Sequence, residues 1–281
     1  MAKDNRMLRR MAGLLKTRLP ETGLEQVSDP RSARGKRWPL ATVLRTCTAG
    51  MLAGSKSLAQ AESLTDEMSP AMARLLGLKR RLPDTTARAV LCGLAPGQLR
   101  DCIRRQIRSA WRRKALEPED LLPIGVVAID GKSTAIDAWD GRYAQRHRDA
   151  SGHGARGLVR TLTCTLVSSR AKVCIDAVPI PPRTNEMGHF PKALHSLVKA
   201  YGRHLFQIVS TDAGMCSLDN AQAVMDENKD YLFCIKADQP SLLAEARRLL
   251  QGKRKALAET VDMDGRYAVS YTHLDAADDL A

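Results

Sequence analysis

Two short apolar runs in this chain end in a carboxylate. Ile124-Gly-Val-Val-Ala-Ile-Asp130 is followed by Gly131 and Lys132, and Leu205-Phe-Gln-Ile-Val-Ser-Thr-Asp212 by Ala213 and Gly214. β-Branched residues running into an acid and then a glycine predict a buried strand that delivers the acid to its C-terminal edge. Two acids on two strand ends suit magnesium. That ion takes oxygen ligands, needs few carboxylates and completes its shell with waters and substrate phosphate oxygens. Two such ions roughly 3.5–4 Å apart activate an attacking oxygen and stabilise a leaving one. Asp130 and Asp212 are therefore candidate ligands for metal-dependent chemistry on phosphate. The structural alternative is a capping role for either acid, because many strands end in Asp.

Other chemistries lack their spacing. His189 and His195 are six positions apart, as are His147 and His153, which is neither a one-face helical pair nor a zinc pattern. There is no Gly-x-Ser-x-Gly elbow and no phosphate-binding Gly-x-x-x-x-Gly-Lys loop. The seven cysteines are scattered singly without a Cys-x-x-Cys pair, the pattern of buried, reduced thiols.

The elements that must position the two acids come with an uneven charge. The net charge is +13, yet residues 1–120 hold 24 Lys and Arg against 12 Asp and Glu, while residues 121–281 hold 20 against 19. Such asymmetry points to a polyanionic partner, with a solvated basic surface as the plainer reading. An apolar fraction of 44% over 281 residues supports a real core. No apolar run reaches membrane-spanning length and the N-terminus lacks a signal-peptide stretch, so a cytoplasmic location and no membrane partner are expected.

Helical spacing runs from Met7 to Leu19 and from Leu40 to Ala53, and Ser57 is placed to cap a further helix. Thr85–Leu94 and Pro96–Ala115 also read as helices. The last of these carries Arg100, Arg104, Arg105, Arg108, Arg112 and Arg113. The 100/104/108 spacing lies along one helical face, either a phosphate-facing stripe or an ordinary solvated one. Arg104, Arg105 and Arg108 are the candidate DNA contacts there. Glu117-Pro-Glu-Asp120 reads as a linker. Beyond it, strands are predicted at 124–130, 160–168, 172–179, 205–211 and 231–236, with helices at 187–201, 218–228 and 240–251. Three strands without a helix, followed by alternating helices and strands, predict an α/β mixed sheet with flanking helices, antiparallel among its first three strands. The polar segment 137–156 reads as a loop that, with Lys132, either meets DNA beside Asp130 or stays irregular.

Four motifs in order make the chain recognisable: Val127-Ala-Ile-Asp-Gly-Lys132, Arg183-Thr-Asn-Glu186, Ser210-Thr-Asp-Ala-Gly214, and Asp230-Tyr-Leu-Phe-Cys-Ile-Lys236 with Gln239-Pro240. Together they resemble the DDE-type insertion-sequence transposases, in the branch that includes the H-repeat-associated proteins. Asp29-Pro-Arg31, Gly35-Lys-Arg37, Leu52-Ala-Gly54 and Leu82-Pro-Asp-Thr-Thr86 resemble that branch's helical transposase-associated region. The resemblance covers roughly residues 25–260.

It implies a ribonuclease-H-like core at 121–269, preceded by a basic, mainly helical DNA-binding region at 1–120. It also implies Asp130 and Asp212 as the first two catalytic acids, Mg²⁺ (or Mn²⁺), cleavage of double-stranded DNA at transposon ends and transfer of the 3′-hydroxyl to target DNA. A homodimer in a synaptic complex, acting at the nucleoid, belongs to the same implication. Lys132 and Lys236 are implied DNA contacts. Asn185, Glu186 and Gln239 are implied supporting residues, with Glu186 as a metal ligand the alternative. One departure stands out. The family's third acid sits in a Trp-x-Ile/Val-Glu-Asn context on a late helix, and nothing here matches it. Residues 270–281 abandon the basic, periodic style of the chain and read as an anomalous tail, expected to be a truncated or spliced end that leaves the core incomplete, with a native acidic tail as the alternative. A chain without that acid is expected to lose activity by orders of magnitude and to leave one side of its sheet uncovered, and an inactive DNA-binding remnant is the alternative function.

Overall fold

The computed structural model describes residues 13, 16–32, 36–118, 124–136, 143–148, 155–237, 239–250, 258–261 and 268–271. Most of the helix expected at Met7–Leu19, Gly35 of the basic motif and the tail beyond Tyr271 lie outside the described residues.

The first part of the chain is helical. α1 (Leu40–Leu52) buries Leu40, Val43, Leu44 and Cys47, the spacing of one helical stripe. α2 (Leu58–Asp66) starts where the sequence put its cap, with Ser57 Oγ accepting a hydrogen bond from the Gln60 amide. α3 (Pro70–Leu76), unforeseen as a separate element, is capped by Ser69 and stopped by left-handed Gly77. α4 (Asp84–Gly93) and the long α5 (Pro96–Arg112) follow. Leu76, Leu82, Ala87, Val90 and Cys102 join α1 in one buried cluster.

The second core surrounds a six-stranded mixed sheet. Its strands are β1 (Val126–Ile136), β2 (Ala144–Arg148), β3 (Ala155–Leu166), β4 (Val173–Pro179), β5 (Ile208–Thr211) and β6 (Asp230–Phe233). β3 lies antiparallel to β1, β4 antiparallel to β3, and β5 and β6 run parallel to β1. The path β4-β3-β1-β5-β6, with β2 continuing beside the first part of β3, is the ribonuclease-H-like arrangement implied by the motifs. β7 (Ala258–Val261) and β8 (Ala268–Tyr271) form a separate antiparallel pair.

Two details differ from the sequence reading. β1 does not end at Asp130 but runs on to Ile136, paired with β3 along the whole extension. The expected loop at 137–156 contains β2, an edge strand whose sequence Ala-Gln-Arg-His-Arg has no apolar alternation to announce it.

Alternation divides the sheet. Val127, Ile129, Leu162, Cys164 and Val209 are buried on one face, against α6 (Glu186–Tyr201), with Ile107 of α5 and Val224 of α7 (Leu218–Asp226) in the same core. Phe190 of α6 meets Phe233 of β6 edge to face, with ring centroids 6.2 Å apart. On the opposite face Ala128, Thr163, Thr165 and Ser210 are only half-buried, and Leu232 is 61% exposed. The last helix, α8 (Pro240–Leu250), follows β6. All seven cysteines are free; Cys47, Cys102, Cys164 and Cys216 are buried, and Cys92, Cys174 and Cys234 are exposed rather than buried as expected.

A buried ion cluster joins the two parts. Asp176 of β4 has no exposure and accepts from Arg100 Nε at 2.8 Å, Arg100 Nη2 at 2.8 Å and Arg104 Nη2 at 2.7 Å. Arg104 Nη2 also donates to Ser196 Oγ on α6 at 2.8 Å. Burial pushes the Asp176 carboxyl up, but the two guanidinium groups outweigh it and hold it below its ordinary value of 3.8. A carboxyl depressed in the folded state stabilises above its unfolded pKa, and that contribution is lost as pH falls through the folded value. Asp176→Asn should leave two guanidinium groups against the core without a counter-charge and cost about 3 kcal/mol or more. Urea denaturation at pH 7 measures the loss. The gap to the unsubstituted chain should persist at neutral pH and narrow only below about pH 4.

Candidate functional site

The register of β1 on β5 decides where the two acids stand. Ile129 pairs with Thr211, so Asp130 and Asp212 are the residues that directly follow the last matched pair of two parallel strands, which lie about 4.8 Å apart. Ile129 and Thr211 are both buried; Asp130 and Asp212 are both exposed, on the opposite face. Asp212 also caps a short 3₁₀ turn at Ala213–Met215, its Oδ1 accepting from the Gly214 amide at 3.1 Å. The capping reading and the ligand reading are compatible, because a carboxylate has about four acceptor positions and this cap uses one. Neither acid has an ion-pair partner among the described residues.

Gly131 has a use the sequence did not reveal. It sits within β1, and a Cβ there would overlap the carboxylate of Glu186. Glu186 is the first residue of α6, whose start is fixed by Asn185: its Oδ1 accepts from the Gly188 amide at 2.8 Å. Asn185 therefore shapes the site by capping, and Glu186 lies over the strand position next to Asp130. Strand alternation sets Gly131 and Asp130 on opposite faces. Among the described residues no three His, Cys, Asp or Glu side chains converge as a metal site.

The remaining sequence candidates divide. Lys132 is exposed two positions after Asp130 and so shares its face. Lys236 is exposed three residues beyond β6, at the edge where Asp130 and Asp212 stand. Gln239 Nε2 donates to the Cys216 carbonyl at 2.7 Å, tying the segment after β6 to the turn that follows Asp212. Its Oε1 is buried without a partner among the described residues.

The arginine stripe differs most from the reading. Arg100 and Arg104 turn into the protein on Asp176, so neither an outward phosphate stripe nor a solvated face describes them. Arg108 is exposed and Arg105 half-buried. Asp176 itself went unread: a lone acid at 172–179 passes for a solvent-facing strand residue, although the arginines four apart on α5 signalled a partner.

Residues 22–107 match the DDE_Tnp_1-associated family. The chain is 27% identical over 160 residues to the "H repeat-associated putative transposase YhhI" of Escherichia coli (strain K12), a stretch covering 57% of this chain and 35% of that protein. The chain resembles the H-repeat-associated branch of the DDE-type transposases. "Putative protein YbfL" of the same organism matches to the same extent. The chain thus spans about a third of the length of these curated relatives. Among solved structures, the cryo-EM piggyBac transposase synaptic complex with hairpin DNA is 14% identical, with a TM-score of 0.34, over 80% of this chain and 46% of that one. The pre-cleavage Mos1 transpososome is 13% identical, with a TM-score of 0.27, over 75% of this chain and 66% of that one.

The Gly131–Glu186 contact makes a measurable claim. Gly131→Ala should cost about 1 kcal/mol, because the carboxylate can swing aside at the price of its packing. In a Glu186→Ala background most of that cost should vanish, giving a coupling of at least about 0.5 kcal/mol in a double-mutant cycle of urea midpoints. Equal costs in both backgrounds would show that Glu186 is not what requires the glycine.

Proposed function

We propose that the chain is a transposase of a bacterial insertion sequence, performing metal-dependent cleavage of double-stranded DNA and 3′-hydroxyl strand transfer. The observation that carries this reading is the β1–β5 register, which sets two exposed acids side by side at one strand edge in a chain of this resemblance. Their donor set fits Mg²⁺ or Mn²⁺: carboxylate oxygens only, with no ion pair competing among the described residues. Bound there, such ions would activate the attacking oxygen and stabilise the leaving one.

Asp130 and Asp212 would hold the ion, and the Gly214 amide orients Asp212. Lys132, on the face of Asp130, takes a phosphate oxygen of the strand, and Lys236 a second from the neighbouring loop. Asn185 fixes the start of α6, with Glu186 packed over Gly131 on the other face of β1, and Gln239 ties the segment after β6 to the turn that follows Asp212. Residues 1–120 supply the grip on DNA and residues 121–269 the chemistry. Two ends must be joined in transposition, so a homodimer holding two DNA ends is part of the proposal, as is action on chromosomal DNA in the cytoplasm. Among the described residues no helix is long and apolar enough to cross a membrane.

A second reading, a DNA-binding remnant, draws on the pairing of two acids among the described residues where the family uses three. The two are separated by incubating purified protein with supercoiled plasmid in Mg²⁺ or Mn²⁺. Slow nicking that needs the ion and falls at least a hundredfold in both Asp130→Asn and Asp212→Asn is the expected outcome. Salt-sensitive DNA binding with no nicking establishes the remnant. Nicking of equal rate in the two variants and the unsubstituted chain sinks the site assignment.

A further inference from the structure

The arginines of α5 that do not turn inwards meet in one place. Arg105, Arg108 and Arg112 follow each other at spacings of three and four, on one helical face. With Trp111, Tyr201 and Glu21 they line an open cleft of about 670 Å³. Arg108 and Arg112 are exposed; Arg108 is held only by a long hydrogen bond of 3.4 Å to the Ala200 carbonyl, and neither has an acidic partner among the described residues. Arg105 folds over Gly23, where any Cβ would overlap its guanidinium and the backbone is left-handed at φ 70°. The same side chain lines the cleft. Trp111 packs against the sheet core, making it a floor and not a free ring.

The cleft is far from the acids. α6 begins at Glu186, over Gly131, and ends at Tyr201, which lines the cleft. Its 16 residues span roughly 24 Å. The cleft and the Gly131 position beside Asp130 therefore stand at opposite ends of α6.

We propose that this cleft is a second site for the phosphate backbone of duplex DNA, taking a segment other than the strand at Asp130 and Asp212. The inference rests on the reading of the chain as a DNA-processing protein and adds where a second stretch is held. Guanidinium forks match phosphate oxygens bidentately, and three of them on one face track successive phosphates. Glu21 is the one acid in the lining. It accepts from Arg113 Nη1 at 3.1 Å and from Ser109 Oγ at 3.3 Å, and it opposes an incoming phosphate.

The test is fluorescence anisotropy of the full chain with a labelled 30-base-pair duplex and, separately, a 30-nucleotide single strand, over a range of salt. Arg108→Ala/Arg112→Ala should weaken duplex binding roughly ten- to hundredfold. It should also flatten the plot of log affinity against log salt by about 1.8, two phosphates' worth. Both residues are exposed, so circular dichroism and thermal midpoint should match the unsubstituted chain. Glu21→Gln should act in the opposite direction and tighten the duplex. If the unsubstituted chain shows no salt-dependent duplex binding, the DNA reading itself fails. If it binds, but the double variant keeps both affinity and slope, or loses only the single strand, the cleft assignment alone is overturned.

Discussion

The fold turns on one irregularity in β4. Thr165 pairs with Cys174, but Cys164 pairs with Asp176, so Ile175 is an extra residue in the strand. A bulge of this kind resets the alternation. Without it Asp176 would fall opposite Thr163, on the half-exposed face. With it, Ile175 and Asp176 are consecutive, both fully buried, and Asp176 meets α5. A buried carboxylate is tolerated only when paired, and the pairing selects which side of α5 faces the sheet. Arg100 and Arg104 are drawn in, Ile107 enters the sheet core, and Cys102 remains in the helical one. The two cores therefore share a helix, and the arginines left over on it are turned towards solvent beside α6.

The same period-two rule builds the acid edge. Ile129 and Thr211 are in register and buried, so their successors must emerge together on the other face. No long-range interaction is needed to place Asp130 beside Asp212; two strands of ordinary register suffice. The cap on Gly214 then fixes the second carboxylate at the point where β5 stops. Gly131 completes the arrangement by its lack of a side chain, admitting the Glu186 carboxylate where a Cβ would stand.

Much of this was legible because it is local. The strand runs, the Ser57 cap and the helix at Glu186–Tyr201 follow from apolar period and capping chemistry within a few residues. The mixed sheet followed from the order of those elements. What the sequence concealed was long-range or without an apolar signal. β2 is an edge strand in a polar segment and β1 outruns its own apolar run. Asp176 and its arginines are more than 70 residues apart, so the 100/104/108 spacing looked like a surface stripe when it was half of an ion cluster. Gly131 after Asp130 looked like a strand stop for a similar reason: its true neighbour, Glu186, is 55 residues away.

Charge distribution gives the arrangement a physical logic. Two adjacent carboxylates repel a phosphate backbone until a cation lies between them, so an acid edge alone binds DNA poorly. The excess positive charge is concentrated in residues 1–120, while the remainder is nearly balanced. A DNA-processing protein built this way draws its affinity from arginines that release counterions and leaves the acid edge to position reacting oxygens. The Asp176 cluster is what makes such a separation rigid. It anchors the helix that carries the outward arginines to the strand next to β3, one strand from β1. Displacing α5 would therefore disturb the helical core and the sheet core at once, whereas neutralising an exposed arginine would disturb only the proposed phosphate cleft.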